Sequence, residues 1–134
     1  MLNILNKKPG MEGISGVSSD FRDLEEGAEK GNERCALARE KFAYEVKKLI
    51  GAYAAVMGGV DAIIFTAGVG ENDALERMQI ASGLEYMGVK MDEDANNVRG
   101  EERVISATDS KVKVLLIPTN EELMIAMDTA SLVG

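Results

Sequence analysis

Asp61-Ala-Ile-Ile-Phe-Thr-Ala-Gly-Val-Gly-Glu-Asn72 decides the fold class of this 134-residue chain. The apolar, β-branched run from Ala62 to Thr66 reads as a strand, the glycines as a tight turn, and the residues beyond as the start of a helix. A strand that feeds a glycine turn and a helix is one step of an alternating α/β layer, and it is a place where nucleotides bind. Gly68 and Gly70 lack a Cβ, so they can take positive φ and let a ligand approach the backbone, with free N–H groups of the following helix pointing at it. The spacing is not the Walker pattern, since no Lys-Ser/Thr follows, nor the dinucleotide fingerprint, since the third glycine is missing. On the local pattern alone, a turn that needs glycines and binds nothing is an equal reading.

Outward from this segment the chain alternates. Upstream, Ala38, Phe42, Val46, Leu49, Tyr53 and Val56 recur at intervals of three and four from an N-cap at Asn32, which predicts a long amphipathic helix ended by Gly58-Gly59. A short helix is expected over Leu24 to Glu29, an irregular loop over Gly10 to Ser19, and a helix end over residues 1–6 that Pro9-Gly10 breaks. Met1 reads as an internal methionine of a longer chain. Downstream, a helix is expected from Leu75 to Leu84, with Met78 on its apolar side. A short strand follows at Val89 to Met91, then a polar turn over Asp92 to Asn97, strands at Glu102 to Ser106 and Val112 to Ile117, and a last helix from near Asn120. The sum is a layered α/β fold in which helices cover a mostly parallel sheet. Four strands with one open edge make a poor stand-alone domain.

Composition narrows the function classes. The net charge of −8 disfavours nucleic acid as a partner. The first 60 residues carry nine basic and nine acidic side chains, so the whole excess lies in residues 61–134. A phosphate ligand must therefore be held by local features such as backbone amides, Arg22 and a metal ion. No apolar run has the length of a membrane span or signal peptide, and the single Cys35 excludes an internal disulfide framework, so a cytoplasmic protein is expected. Eight methionines read as core filling, and Cys35, at helical spacing from Ala38 and Phe42, is given no catalysis. Lys7-Lys8 and Lys47-Lys48 read as solvated pairs. Asp92, Glu93 and Asp94 lack the glycine and closing glutamate of a calcium loop.

Three separated blocks carry a resemblance: Gly13-Ile-Ser-Gly-Val-Ser-Ser-Asp-Phe-Arg-Asp23, Phe65-Thr-Ala-Gly-Val-Gly-Glu-Asn72 and Ile117-Pro-Thr-Asn-Glu-Glu-Leu123. In order and spacing they resemble the C-terminal part of an acetate kinase. The likeness runs nearly end to end, and Gly51-Ala-Tyr-Ala-Ala55 and the passage from Arg99-Gly-Glu101 to Lys111-Val-Lys-Val114 fit it too. It implies the superfold shared by actin, sugar kinases and heat-shock ATPases (ribonuclease H-like), with the active site in a cleft between two domains. Residues 1–134 would then be part of a C-terminal nucleotide-binding domain, with the N-terminal domain absent from this chain. The chain has no histidine, whereas the family uses one beside the transferring phosphoryl group, so no catalytic residue is assigned within it.

The activity implied is reversible, ATP-dependent phosphorylation of acetate to acetyl phosphate, with ATP/ADP as substrate, Mg²⁺ or Mn²⁺ as cofactor, and the 134 residues inactive alone. By the same resemblance Asp20, Phe21 and Arg22 line the adenosine pocket, Gly68, Val69, Gly70, Glu71 and Asn72 wrap the sugar and base, and Glu121 is the magnesium-associated glutamate. A homodimer through the C-terminal domain is implied, and the helix from Phe42 to Met57 is a candidate for part of that contact. No membrane and no nucleic acid partner is expected.

The residue chemistry leaves alternatives open. Asp20 and Arg22 also read as a helix cap followed by a surface ion pair, Glu71 as a carboxylate favourable to the helix dipole, and Glu121 and Glu122 as first-turn residues capped by Thr119 or Asn120. A non-catalytic nucleotide-binding or dimerisation module, or a propionate or butyrate kinase, would share these features.

Overall fold

The computed structural model describes residues 10–134, so the helix end expected over residues 1–6 lies outside the described residues. Helix α1 spans Met11–Ser15 and α2 spans Phe21–Glu29. The second starts three residues before the expected Leu24 because Asp20 caps it, its carboxylate accepting from the Arg22 amide at 2.9 Å. Helix α3, Glu33–Met57, starts where Asn32 predicts: the Asn32 side chain accepts from the amides of Arg34 and Cys35. It stops at Gly58, which takes φ 76° as a left-handed cap.

Strand β1, Ala62–Phe65, is followed by α4, Ala67–Asn72, and α5, Ala74–Ala81. The helix expected to reach Leu84 ends early at Ser82 and Gly83, the latter at φ 86°, and a 3-10 turn at Glu85–Met87 takes over. Then come α6, Glu93–Asn96, β2, Arg103–Val104, β3, Lys113–Leu116, and α7, Glu121–Val133. The expected polar turn at Asp92 is one turn of helix because Asp92 caps it, accepting from the Ala95 amide at 2.9 Å.

The α/β layering holds in a small mixed sheet of order β1-β3-β2. β1 and β3 are parallel, Ala62 opposite Lys113 and Phe65 opposite Leu116; β2 is antiparallel to β3, Arg103 opposite Leu116. Val89 to Met91 is not a continuous strand. Val89 bridges Val112 in parallel and Met91 bridges Ser106 antiparallel, so the segment crosses between two neighbours instead of pairing along one.

The main core joins α3, α5 and the sheet: Ala43, Phe65, Ile80, Leu84, Val114 and Leu116 are buried together. Each large apolar side chain buried there stabilises by roughly 1.5–3 kcal/mol before entropy is counted. A second cluster, Leu24, Cys35 and Ala38, ties α2 to α3. Gly27 permits that approach, since a Cβ there would stand 2.6 Å from the Cys35 sulfur.

The expected apolar stripe of α3 divides. Ala38 is buried and Phe42 and Val46 pack against the core, but Leu49, Tyr53 and Val56 are exposed, Val56 at 86 %. The sequence carries a second stripe, Ala43, Val46, Ile50 and Ala54, and the core takes this one, whose small residues let the helix sit close. Charges also enter the interior. Arg39 of α3 reaches Asp73 at 2.7 Å and Glu76 at 3.2 Å, an ion cluster that fastens α3 to α5. No described helix is long and apolar enough to cross a membrane.

Candidate functional site

The turn after β1 has a different geometry from the one expected. Ala67, not a glycine, takes the positive φ, at 58°, and Gly68 and Gly70 lie inside the helical turn α4. Extended Thr66 must reverse into a helix within one residue, so the left-handed conformation falls at that corner. For an L-residue it costs about 1–2 kcal/mol. Packing within the chain demands neither glycine: a Cβ on Gly70 would stand in ordinary contact, 3.5 Å from the Phe65 carbonyl carbon, and one on Gly68 would meet nothing within 4 Å and face open space.

Neighbouring groups hold the turn in place. The Asn72 side-chain amide donates to the Gly68 carbonyl at 2.9 Å. Glu71 turns away and its carboxylate accepts from the Ala67 amide (2.7 Å), the Thr119 amide (2.7 Å) and the Thr119 hydroxyl (3.1 Å), joining the β1–α4 corner to the loop after β3. The Thr119 amide is the main reason that the Glu71 carboxyl is held below the usual glutamate range. From below, the fully buried Arg77 guanidinium donates to the carbonyls of Gly70, Glu71, Asn96 and Val98 and to the Asn96 side chain.

Asp20-Phe21-Arg22 faces this turn. The Arg22 guanidinium donates to both Asp20 oxygens, at 3.1 and 2.6 Å, and its amide to one of them; these bonds, the side-chain ones foremost, lower the Asp20 carboxyl to about 2. The cap and surface ion pair read from the sequence are therefore both present. Phe21 meets Phe42 of α3 edge-on, with ring centroids 4.7 Å apart and planes at 71°.

Between the two segments lies a cavity of about 600 Å³, lined by Asp20, Phe21 and Arg22 on one side and Gly68, Val69 and Asn72 on the other. Six of the eight residues expected to hold a nucleotide thus share one cavity. Gly70 and Glu71 do not line it; they build the turn from behind. Ser19, Glu25, Asp73 and Arg99 complete the walls. The volume falls in the range of small-molecule sites, and the mixture of apolar floor and convergent polar groups is their usual character. A groove of about 470 Å³ between Tyr44, Lys47 and Met78 holds none of the expected residues.

Glu121 lies apart from the cavity lining, exposed in the first turn of α7, where Asn120 is the cap, accepting from the Leu123 amide at 3.1 Å. Among the described residues no three His, Cys, Asp or Glu side chains converge as a metal cage. One exposed carboxylate does suit a magnesium ion that keeps its waters and takes its other ligands from phosphate oxygens.

The Acetokinase family profile matches residues 1–127. The chain belongs to the acetokinase family. It is 63 % identical to the acetate kinase of Dictyoglomus turgidum over 134 residues, all of this chain and 33 % of that protein. Among solved structures, Porphyromonas gingivalis acetate kinase superposes with a TM-score of 0.93 at 48 % identity, covering 99 % of this chain and 34 % of the other. A propionate kinase from Francisella tularensis superposes at 0.82 and 38 % identity, with 93 % and 32 % covered. The chain thus spans about a third of the length of the acetokinase relatives it matches.

Sequence reasoning missed the groups that brace the acetokinase turn. Asp73-x-x-Glu76 is a readable capping pair, and Asp73 does accept from the Glu76 amide at 2.8 Å. Glu76 and Arg77 also fall on the face that carries Ile80, a helical spacing that places charge toward the core and should have prompted a search for partners. Arg99 stands in a passage that fits the resemblance, but no residue pattern there marks its place beside the cavity.

Proposed function

We propose that this chain forms the nucleoside-binding side of an acetate kinase. What supports the reading most is the meeting of Asp20-Phe21-Arg22 with Gly68, Val69 and Asn72 around one cavity in a chain of the acetokinase family. Phe21 and Val69 offer apolar surface to a purine. Asp20, held ionised by Arg22, accepts from a ribose hydroxyl or the adenine amino group, and Asn72 has a side-chain oxygen and a second N–H beyond its bond to Gly68. Gly68 leaves the backbone uncovered so that the sugar can lie against it.

The reaction supported by the relatives' names moves the terminal phosphoryl group of ATP to a carboxylate oxygen of acetate: the new P–O bond forms as the bond to the β-phosphate breaks, giving acetyl phosphate and ADP. Such a transfer depends on in-line positioning and charge neutralisation rather than covalent help from the protein. Glu121 is the residue that would hold Mg²⁺, which when bound offsets negative charge on the phosphoryl oxygens. None of the 134 residues is assigned to an acceptor site or to stabilising the transferring phosphoryl group. The 134 residues therefore bind nucleotide without turning it over. A second reading, transfer to propionate, is favoured by the likeness to the Francisella tularensis propionate kinase. The exposed Leu49, Tyr53, Val56 and Met57 stripe of α3 suits contact with a second copy.

Calorimetric titration of the purified chain with ADP tests the reading. Saturable one-site binding, weakened by Asp20→Ala and by Val69→Asp, is expected. A folded chain without measurable binding would sink it, and acetyl phosphate production by the pure chain in a hydroxamate assay would contradict the inactivity.

A further inference from the structure

The cavity contains one cation that the preceding reading leaves idle. Arg22 is engaged by Asp20, and Arg39, behind the wall, is engaged by Asp73 and Glu76, with Glu25 at 3.9 Å. Arg99 lines the same cavity, is exposed, and makes no side-chain hydrogen bond or ion pair among the described residues.

Its backbone, in contrast, is tightly placed. The carbonyl of Val98, just before it, accepts from Arg77 at 2.8 Å, and the amide of Gly100, just after it, donates to the Glu71 carbonyl at 3.1 Å. Gly100 takes φ 59°, which turns the chain back toward α4. The Gly100 anchor bonds directly to the main chain of the turn that carries Gly68, Val69 and Asn72, and the Val98 anchor is tied to it through the Arg77 guanidinium, which also donates to the Gly70 and Glu71 carbonyls. A long cationic side chain on a doubly anchored loop, with uncompensated charge and an opening beside it, is arranged for a ligand and not for the fold.

We propose that Arg99 contacts the bound nucleotide directly, as a third wall of the cavity beside the Asp20–Arg22 and Gly68–Asn72 segments. Its planar guanidinium can pair with phosphate oxygens or lie on the purine face. The inference rests on the nucleotide reading of this cavity and adds to it a residue from a separate part of the chain.

The test compares Arg99→Ala, Arg99→Lys and the control Arg103→Ala, an exposed arginine away from the cavity, by calorimetric titration with ADP and with adenosine. Thermal unfolding followed by circular dichroism checks folding. Arg99→Ala is expected to weaken ADP binding roughly tenfold or more without moving the unfolding midpoint, Arg99→Lys to restore part of it, and Arg103→Ala to bind as the parent does. A loss for ADP alone supports contact through the phosphates; an equal loss for adenosine supports contact through the base. If the parent binds ADP and Arg99→Ala binds it equally well, the inference is wrong while the nucleotide reading stands. If the folded parent binds neither ligand, both fall.

Discussion

Helices α5 and α7 invert the usual relation between polarity and burial. α5 carries two fully buried charged residues, Glu76 and Arg77, whereas α7, with Leu123, Met124, Ile125, Met127, Leu132 and Val133, buries none of its residues. The charges of α5 can be inside because they have partners: Arg77 has five hydrogen bonds, and Glu76 is bonded to Arg39, although its second oxygen is buried without a partner among the described residues. The apolar side chains of α7 meet no described surface able to cover them. Burial therefore follows available partners rather than residue polarity, and in this molecule the buried charges brace the candidate site.

Arg77→Met gives the largest effect expected from that contrast. It removes five hydrogen bonds and leaves the Val98 carbonyl and the Asn96 side-chain oxygen without theirs, although the Glu71 and Asn96 carbonyls keep bonds from the Gly100 and Val98 amides, and urea denaturation should show a loss of about 4 kcal/mol together with weaker ADP binding. A neutral result would mean that the turn stands without its brace.

Arg39→Met comes next, at about 3 kcal/mol near neutral pH, because Asp73 and Glu76 would lose their buried counter-charge. Burial already pushes the Glu76 carboxyl above its ordinary value of 4.5, with Arg39 opposing. A folded state that holds this proton more tightly than the unfolded state is favoured at low pH, and it loses that contribution as pH rises from 4.5 through the raised value. Removing Arg39 raises the value further. The deficit of the variant should accordingly be smaller at pH 4.5 than at pH 7.5 in paired urea titrations.

Glu71→Gln is expected to cost about 1 kcal/mol or less, since the bonds to Ala67 and Thr119 lie near solvent. Its sign with pH is opposite: the lowered Glu71 value gives stability that is present above the ordinary 4.5 and lost as pH falls through the lowered value. The parent and the variant should therefore converge at low pH.

Deleting residues 121–134 should change least, within about 1 kcal/mol for the remaining fold, because a solvated thirteen-residue helix is marginal by itself. A loss comparable to that of Arg77→Met would break the comparison between α5 and α7.

The layered fold was legible because its signals are local: Asn32 caps α3, Gly58 ends it, and the apolar strand read over Ala62 to Thr66 is present as Ala62–Phe65. The division of α3 was not, because two apolar stripes share one helix and only the packed sheet selects between them. The Ala67 corner was missed since a glycine is the easier residue for positive φ, and the glycines beside it drew the reading. Of the residues that line the candidate cavity, Asp20, Phe21, Arg22, Gly68, Val69 and Asn72 were named through the family motifs. The Arg77 brace and the placing of Arg99 beside the cavity were not legible, since they depend on backbone carbonyls and a loop anchor supplied by distant segments.

The most direct test of the site is an amide chemical-shift map of the isotopically labelled chain titrated with ADP in the absence of divalent metal. The account predicts shifts concentrated at Ser19–Arg22, Gly68–Asp73 and Val98–Gly100, with α7 silent. Shifts centred on the Tyr44, Lys47 and Met78 groove, or spread evenly over the chain, would contradict it.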